Sequence, residues 1–598
     1  MHDLNFTTWW KMFKAKSILI VIAVFVLVLY AWFVLYPTTR GYDYFTAFAA
    51  DLINKKQRLD AIRHAITAER FLAIQKIVIA VGILLVVLFA SAIKYIKTLH
   101  HFLQRISSRL NLSWTSNSSQ LKSTSLSEKI IFTVALVYLL VQSVWYMTQL
   151  PFIHDEAYTI SNFILPGPLA SMTFYPYPNN HIFFSLFSYP FTFLPFAPEV
   201  VFRLPSLVAV VLTCFIFFRL LLLFLPSFEA VLGVVVFVTL LPVSAYAVLA
   251  RGYCLVFLFT ALCIFCLIRL VQNNRNYHKA FLGLFSVLGL YTLPSFLYPF
   301  AAFMGVYVMY GFYNRTKLII YNAIVISGVV GVTTLLLYSP VILASGGWSN
   351  FLHILYFGYD VTAILSQFYE FVAGAYSIHL FEQTHLVPFV FILIGTLFIF
   401  SVRSMLLQKV TSSEKIFFWT CILGLLAPII SFIVQRKMIA PRTHSYVSLF
   451  LVGYILISLK LTLPNRVRHY VLSILGLSLA VMNLMFVSKS GLLTGEKYIS
   501  KSADLFATKM LEEKQQVDTC YTFDIYYLAN INLQFSLQEE EIVFMQNEAG
   551  ISYAPFNFQK RFNWIITNQN ADVNMDSINI KYYPAVVRFD ATLWKLRR

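Results

Sequence analysis

The residues best placed to do chemistry are consecutive: His154-Asp155-Glu156, continuing as Ala157-Tyr158-Thr159. They follow an apolar run over residues 130–145 after only a short junction, so two carboxylates stand at a membrane surface. Between residues 129 and 359 the acidic side chains are Asp155, Glu156, Glu199 and Glu229, and only the first two are adjacent. A carboxylate pair held against a bilayer is costly unless something uses it, which makes it a functional candidate. The alternative is a solvated helix-end cap or an ion pair with a loop arginine. Beyond the pair lies Phe174-Tyr175-Pro176-Tyr177-Pro178-Asn179-Asn180-His181, a rigid rim of prolines, aromatics and amides suited to polyhydroxyl groups. Asn179, Asn180 and His181 are candidate substrate contacts, and Asn or His could complete a divalent-metal shell begun by Asp155 or Glu156. Asn180-His181 could equally cap the helix that follows.

A second set is cationic. Arg203 (in Arg-Leu-Pro-Ser), Arg251 (in Ala-Arg-Gly-Tyr), Arg436, Lys437 and Arg442 map to the same face as Asp155. Basic residues at outer junctions run against the usual charge bias and need a reason. One is contact with anionic lipid headgroups. The other is capture of a phosphate or pyrophosphate, which the guanidinium fork suits. Arg251 and Arg442 are the better candidates, each at an expected span end with Tyr253 or Tyr446 close by. A carboxylate opposite arginines at the outer surface suits one reaction. An acceptor hydroxyl loses its proton to Asp155 and attacks a sugar C1 while arginines neutralise the departing phosphate. Attack opposite the leaving group inverts the anomeric centre.

The elements that must position these groups are apolar helices. Of 598 residues, 59% are hydrophobic and 12% charged, outside the range of soluble domains. Many runs reach the length an α-helix needs to cross the hydrocarbon core. The net charge of +18 lies largely in short loops beside apolar runs, the signature of cytoplasm-facing loops, so nucleic acid is not the partner. Cys214, Cys254, Cys263, Cys266 and Cys421 fall in or beside apolar segments, and Cys520 is alone in the polar tail, so no disulfide framework or zinc site is implied. Spans are expected near 17–36, 71–97, 129–149, 205–224, 228–249, 254–269, 280–298, 299–313, 318–343, 386–402, 416–434, 446–460 and 469–488. Residues 37–70 read as an external amphipathic helix, and 183–196 as a helix lying along the outer surface.

These readings give a polytopic α-helical membrane protein of about 13 transmembrane helices, with the N-terminus cytoplasmic and Asp155 outside. A long external loop spans 344–385. Expected strands at 518–527, 541–546, 562–567 and 585–589 make the tail a small C-terminal extracytoplasmic α/β domain. The expected division is a two-helix extension (1–127), a transmembrane catalytic core (128–488) and the tail domain (489–598).

The order of motifs resembles the GT-C superfamily of polyprenyl-phosphate-sugar-dependent glycosyltransferases, in particular the branch of bacterial protein O-mannosyltransferases and lipid A aminoarabinose transferases. The resemblance covers residues 128–465. It rests on Asp155-Glu156-Ala157-Tyr158 after a span, the Pro176–Pro195 segment, Arg203–Ser206, Arg251-Gly252-Tyr253, and Arg442 with Tyr446. It implies a GT-C-like core in the cell envelope, with Asp155 as base and Arg251 and Arg442 near the donor phosphate. The donor would be a polyprenyl-phosphate-linked sugar and the acceptor a protein, lipid or glycan. The leading helices (1–127) lie outside that pattern. Pro-Asn-Asn-His stands where the family has a Pro-Pro-Leu-Tyr-like element, so metal use stays open. A transporter or flippase of a lipid-linked saccharide would use the same charges, although such proteins often carry theirs deep within discontinuous helices. A non-catalytic scaffold would leave the carboxylate pair unexplained.

Overall fold

The computed structural model describes residues 27, 31, 35–52, 67–94, 124–173, 175, 179–344, 359–360, 364–408, 410–490, 497–513, 518–522, 525–538, 542–544, 563–568, 582–588 and 591–596. Most of the expected span at 17–36, the basic loop after residue 97, part of the 344–385 loop and Phe174, Pro176, Tyr177 and Pro178 lie outside the described residues. The chain divides into two compact units, one of residues 1–124 with 339–353 and the other of 125–338 with 354–598.

In the first unit, helices Tyr36–Thr39 and Tyr42–Leu52 stand beside the long helix Ala68–Lys94. Phe71, Ile74 and Val78, spaced along one helical face, pack with Leu35, Tyr42 and Phe45. Gln75 donates to the carbonyl of Thr38 at 2.6 Å.

The second unit is a multi-pass membrane bundle. Among the described residues eight helices are long and apolar enough to cross a bilayer, with shorter apolar helices at Ile182–Phe193, Ser227–Val238 and Val447–Thr462. The helix ends are set by local chemistry. Ser125 and Glu128 form a reciprocal capping box at the start of Leu126–Gln149, and Thr411 and Glu414 do the same for Ser412–Gln435. Both acidic caps also serve the bundle: Ser227 donates to Glu128 at 2.8 Å, and Lys460 pairs with Glu414.

Two expected elements are interrupted. The span expected over 228–249 breaks after Val238 and resumes as the short helix Leu241–Tyr246, with Pro242 in its first turn. The break is affordable because Asn483, fully buried on Asn465–Phe486, donates to the carbonyl of Thr239 and to Ser244 Oγ, both at 2.9 Å. Its own carbonyl accepts from Tyr138 (2.6 Å) and Gln142 (2.8 Å) on Leu126–Gln149. The segment expected as a surface helix is helical over Ile182–Ser188 and then tightens to a 3₁₀ turn at Tyr189–Phe193, where Pro190 stands.

The C-terminal residues form a mixed five-stranded sheet in the order Ile542–Phe544, Asp518–Thr522, Trp564–Asn568, Ala591–Leu596, Tyr582–Val587. Its first two pairings are parallel and its last two antiparallel. Helices Lys497–Glu512 and Ile525–Leu537 pack together beside it, so the strand expected to run to 527 stops at Thr522 and gives way to helix. The final strand, Ala591–Leu596, was not among the expected ones.

Candidate active site

The carboxylate pair opens a helix of six residues, His154–Thr159, which continues as a π turn over Ile160–Ile164. Adjacent residues on a helix point about 100° apart, and the two carboxylates go to different places.

Glu156 goes inward. Its side chain is fully buried, with Oε1 accepting from Arg203 Nε (2.8 Å) and the Ala250 backbone N–H (2.7 Å). Oε2 accepts from Arg203 Nη2 (2.7 Å) and from the backbone N–H of Ile153 (3.1 Å). Arg203 is equally buried, and its remaining donors reach the carbonyls of Met147 (3.0 Å), Leu150 (2.8 Å) and Pro151 (2.9 Å). Its guanidinium also lies 4.8 Å from the Phe152 ring centre. Glu156 has both oxygens engaged and Arg203 has all of its N–H groups engaged, so neither presents a free group to the open side. They form a closed ion pair that ties the end of one span, the acidic helix, the start of Leu204–Leu221 and residue 250 together.

Asp155 goes to the open side. Its Oδ2 lies 2.9 Å from Arg442 Nη1, with side-chain exposures of 15% and 48% respectively. Burial pushes the Asp155 carboxyl up, but the charges of Arg251, Arg442 and then His154 outweigh burial and hold it below the ordinary carboxylate value. Asp155 is thus an ionised carboxylate at neutral pH, facing two guanidinium groups.

Arg251 arrives from the turn before Tyr253–Asn273. Ser206 Oγ shapes that turn by donating to the carbonyls of Leu249 (2.6 Å) and Arg251 (3.0 Å). The Arg251 side chain is buried. Its Nη1 donates to Thr159 Oγ1 (2.7 Å), the Asn179 carbonyl (3.0 Å) and the Asp155 carbonyl (3.3 Å). Its Nη2 lies 3.2 Å from His181 Nε2, and its Nε has no protein partner. Tyr253 lies 5.9 Å away, ring centre to guanidinium carbon, and packs edge-on to the His181 ring at 5.1 Å.

His181 is fixed by accepting the Gly252 backbone N–H on Nδ1 at 2.8 Å. Burial, then the charges of Arg251 and Arg442, pull its pKa well below the usual histidine value, so the ring is neutral. Gly252 is required by close approach: a Cβ there would stand 2.7 Å from Thr292 Cγ2 and 3.0 Å from His181 Nδ1. Asn180 holds its own segment, donating to the Ser171 carbonyl (2.7 Å) and accepting from the Ser185 hydroxyl (3.2 Å), while the helix that follows has no side-chain cap. Asn179 remains a candidate contact, because its buried side-chain oxygen has no partner.

Arg442 sits in the 3₁₀ turn Pro441–His444, ahead of Val447–Thr462. Tyr446 is fully buried, its hydroxyl 3.3 Å from His444 Nδ1, so it supports the turn from below. Arg436 is the exposed left-handed cap of Ser412–Gln435, and Lys437 pairs its backbone with Asp360. The ion pair to Asp155 belongs to Arg442.

The side chains expected to hold a divalent metal have other partners in this arrangement. Glu156 has both oxygens engaged, His181 Nδ1 is taken by Gly252, and two arginine charges face the remaining carboxylate. No cluster of three His, Cys, Asp or Glu side chains capable of holding a metal occurs among the described residues.

Three further side chains contribute to the site. Thr159, one helical turn after Asp155, donates to the Asp155 carbonyl (2.8 Å) and accepts from Arg251. Its i, i+4 spacing was the available signal. Tyr246 is buried with its ring 4.4 Å from Tyr253 and its hydroxyl unpartnered. Tyr175 is buried within electrostatic reach of Arg251. Nothing local in the sequence marked Tyr246, whereas Tyr175 belongs to the aromatic rim at residues 174–181 and only its nearness to Arg251 came from the tertiary structure.

No family model and no curated protein matches this chain. Among solved structures it is similar to ArnT from Cupriavidus metallidurans bound to undecaprenyl phosphate, at 10% identity and a TM-score of 0.47, covering 79% of this chain and 98% of that one. It is also similar to the apo state of the same protein, at 9% identity and a TM-score of 0.38 over the same shares. Likeness at this level leaves the functional reading to rest on the site itself.

Proposed function

We propose that the chain is a membrane glycosyltransferase that moves a sugar from a polyprenyl-phosphate donor to an acceptor hydroxyl on the extracytoplasmic face. The observation that carries this is the convergence of Asp155, Arg251 and Arg442, from three distant parts of the chain, on one partly open site. As the acceptor oxygen forms its bond to the sugar C1, its proton passes to Asp155. The bond from C1 to the phosphate oxygen breaks, and the leaving polyprenyl phosphate takes the electron pair. Arg442, half exposed, can turn from Asp155 to the phosphate, while Arg251 presents the unpartnered Nε from a fixed position. Because Asp155 is ionised beforehand, it takes the proton only as negative charge leaves the acceptor oxygen. Attack opposite the leaving phosphate inverts the anomeric centre.

The test is Asp155→Asn in purified protein supplied with a polyprenyl-phosphate-linked sugar. Transfer should fall by about 10²–10⁴-fold, the range for loss of a general base, with polyprenyl-phosphate binding retained. Unchanged transfer removes Asp155 as base. Transport of the lipid-linked sugar across vesicles with no covalent product would make the protein a flippase.

A further inference from the structure

The helix Ile525–Leu537 is apolar on two opposite faces. Ala529, Leu533 and Leu537 recur at four-residue intervals, as do Tyr527, Ile531 and Phe535. The sets are offset by two residues, about 200° around the helix. The first set belongs to the core of the membrane bundle, with Ala529 and Leu533 buried there. The second belongs to the separate core beneath the C-terminal sheet, with Trp564 and Leu593. On the bundle side, the helix packs directly against His154–Thr159 and the π turn Ile160–Ile164. On the other side, it is held to Lys497–Glu512 by Gln534, which donates to Asp504 at 2.9 Å, and by stacking of Tyr527 on Phe506 at 5.8 Å.

This placement matters because six helical residues followed by a π turn do not hold their own conformation. Isolated helices of that length are unstable in water, so packing fixes their direction. One side of the acidic helix is fixed by the Glu156–Arg203 pair. The other is fixed by the tail.

We propose that Leu533 is a positioning residue for Asp155, and that the C-terminal domain is a strut of the catalytic apparatus rather than an appended module. The effect on transfer rests on the reading of Asp155 as base; the effect on the acidic helix does not.

Two substitutions in the full chain separate the faces. Leu533→Ala and Ile531→Ala remove comparable buried aliphatic volume from the same helix, one toward the bundle and one toward the sheet. Amide hydrogen exchange across residues 154–164 should quicken by about tenfold or more in Leu533→Ala and stay at the wild-type rate in Ile531→Ala. The turnover rate for sugar transfer should drop about a hundredfold in Leu533→Ala, as for a misplacement near 1 Å, with polyprenyl-phosphate binding within twofold of wild type. Leu533→Met, which keeps the volume, should restore both. Equal exchange in the two alanine variants, or no change at 154–164 in Leu533→Ala, overturns the proposal. Exchange that behaves as expected in a protein transferring no sugar would leave the strut standing and defeat only the glycosyltransferase reading.

Discussion

Arg203 and Glu156 meet through two parallel hydrogen bonds of 2.8 and 2.7 Å, both side chains excluded from solvent. Every oxygen of one and every N–H of the other is occupied, so the pair acts as a rivet beside the site. Its neighbour in sequence, Asp155, keeps an exposed edge and faces a mobile type of partner, an arginine half in solvent. The site is thus an open carboxylate mounted on a closed one.

Removing one partner of the rivet leaves a buried charge without compensation. Glu156→Gln and Arg203→Met should each destabilise the protein by about 3–5 kcal/mol, read as a lower unfolding temperature in detergent. Glu156→Gln with wild-type stability and a selective loss of turnover would instead place Glu156 in the reaction.

The acid limb of transfer should follow Arg442. In the wild type the Asp155 carboxyl lies below its ordinary value of 3.8, so the kcat/KM profile should show no limb from this group between about pH 5 and 8. The stability it contributes is present above 3.8 and is lost as pH falls through the lower folded value. In Arg442→Ala, burial faces one fewer opposing charge, so the limb should move up. A limb that stays in place would show that Arg442 does not hold Asp155 ionised.

Gly252→Ala should damage the site without touching a charged group. The new Cβ meets Thr292 and the His181 nitrogen that accepts the Gly252 N–H, so His181 and the neighbouring Arg251 must shift. A stability loss of about 1–3 kcal/mol is expected for such overpacking, together with weaker polyprenyl-phosphate binding in a titration. Wild-type binding would separate the His181–Gly252 contact from the phosphate site.

Asn483→Leu should unsettle the broken helix at Thr239. It removes four buried hydrogen bonds, from Tyr138 and Gln142 and to Thr239 and Ser244. We expect a total cost of roughly 1–3 kcal/mol and faster amide exchange over residues 239–246. An unchanged exchange rate there would mean that Pro242 and packing alone hold the break.

The sequence by itself determined the membrane bundle, because spans announce themselves by length and apolarity. It also singled out Asp155, Arg251 and Arg442, since charges in an apolar chain are few. From the residues alone it did not say which of Asp155 and Glu156 is buried, nor that Arg203 is the partner of Glu156. Which of two neighbouring carboxylates is buried depends on what packs against each face of one short helix, and those partners come from residues 203, 250 and 442. The break at Thr239 and the two-faced helix Ile525–Leu537 escaped for the same reason. A lone Asn483 and two interleaved apolar sets acquire meaning only when the surfaces they touch are in place. The pair at 155–156 is one unit in sequence, and tertiary packing divides it into a buried fastener and an open carboxylate.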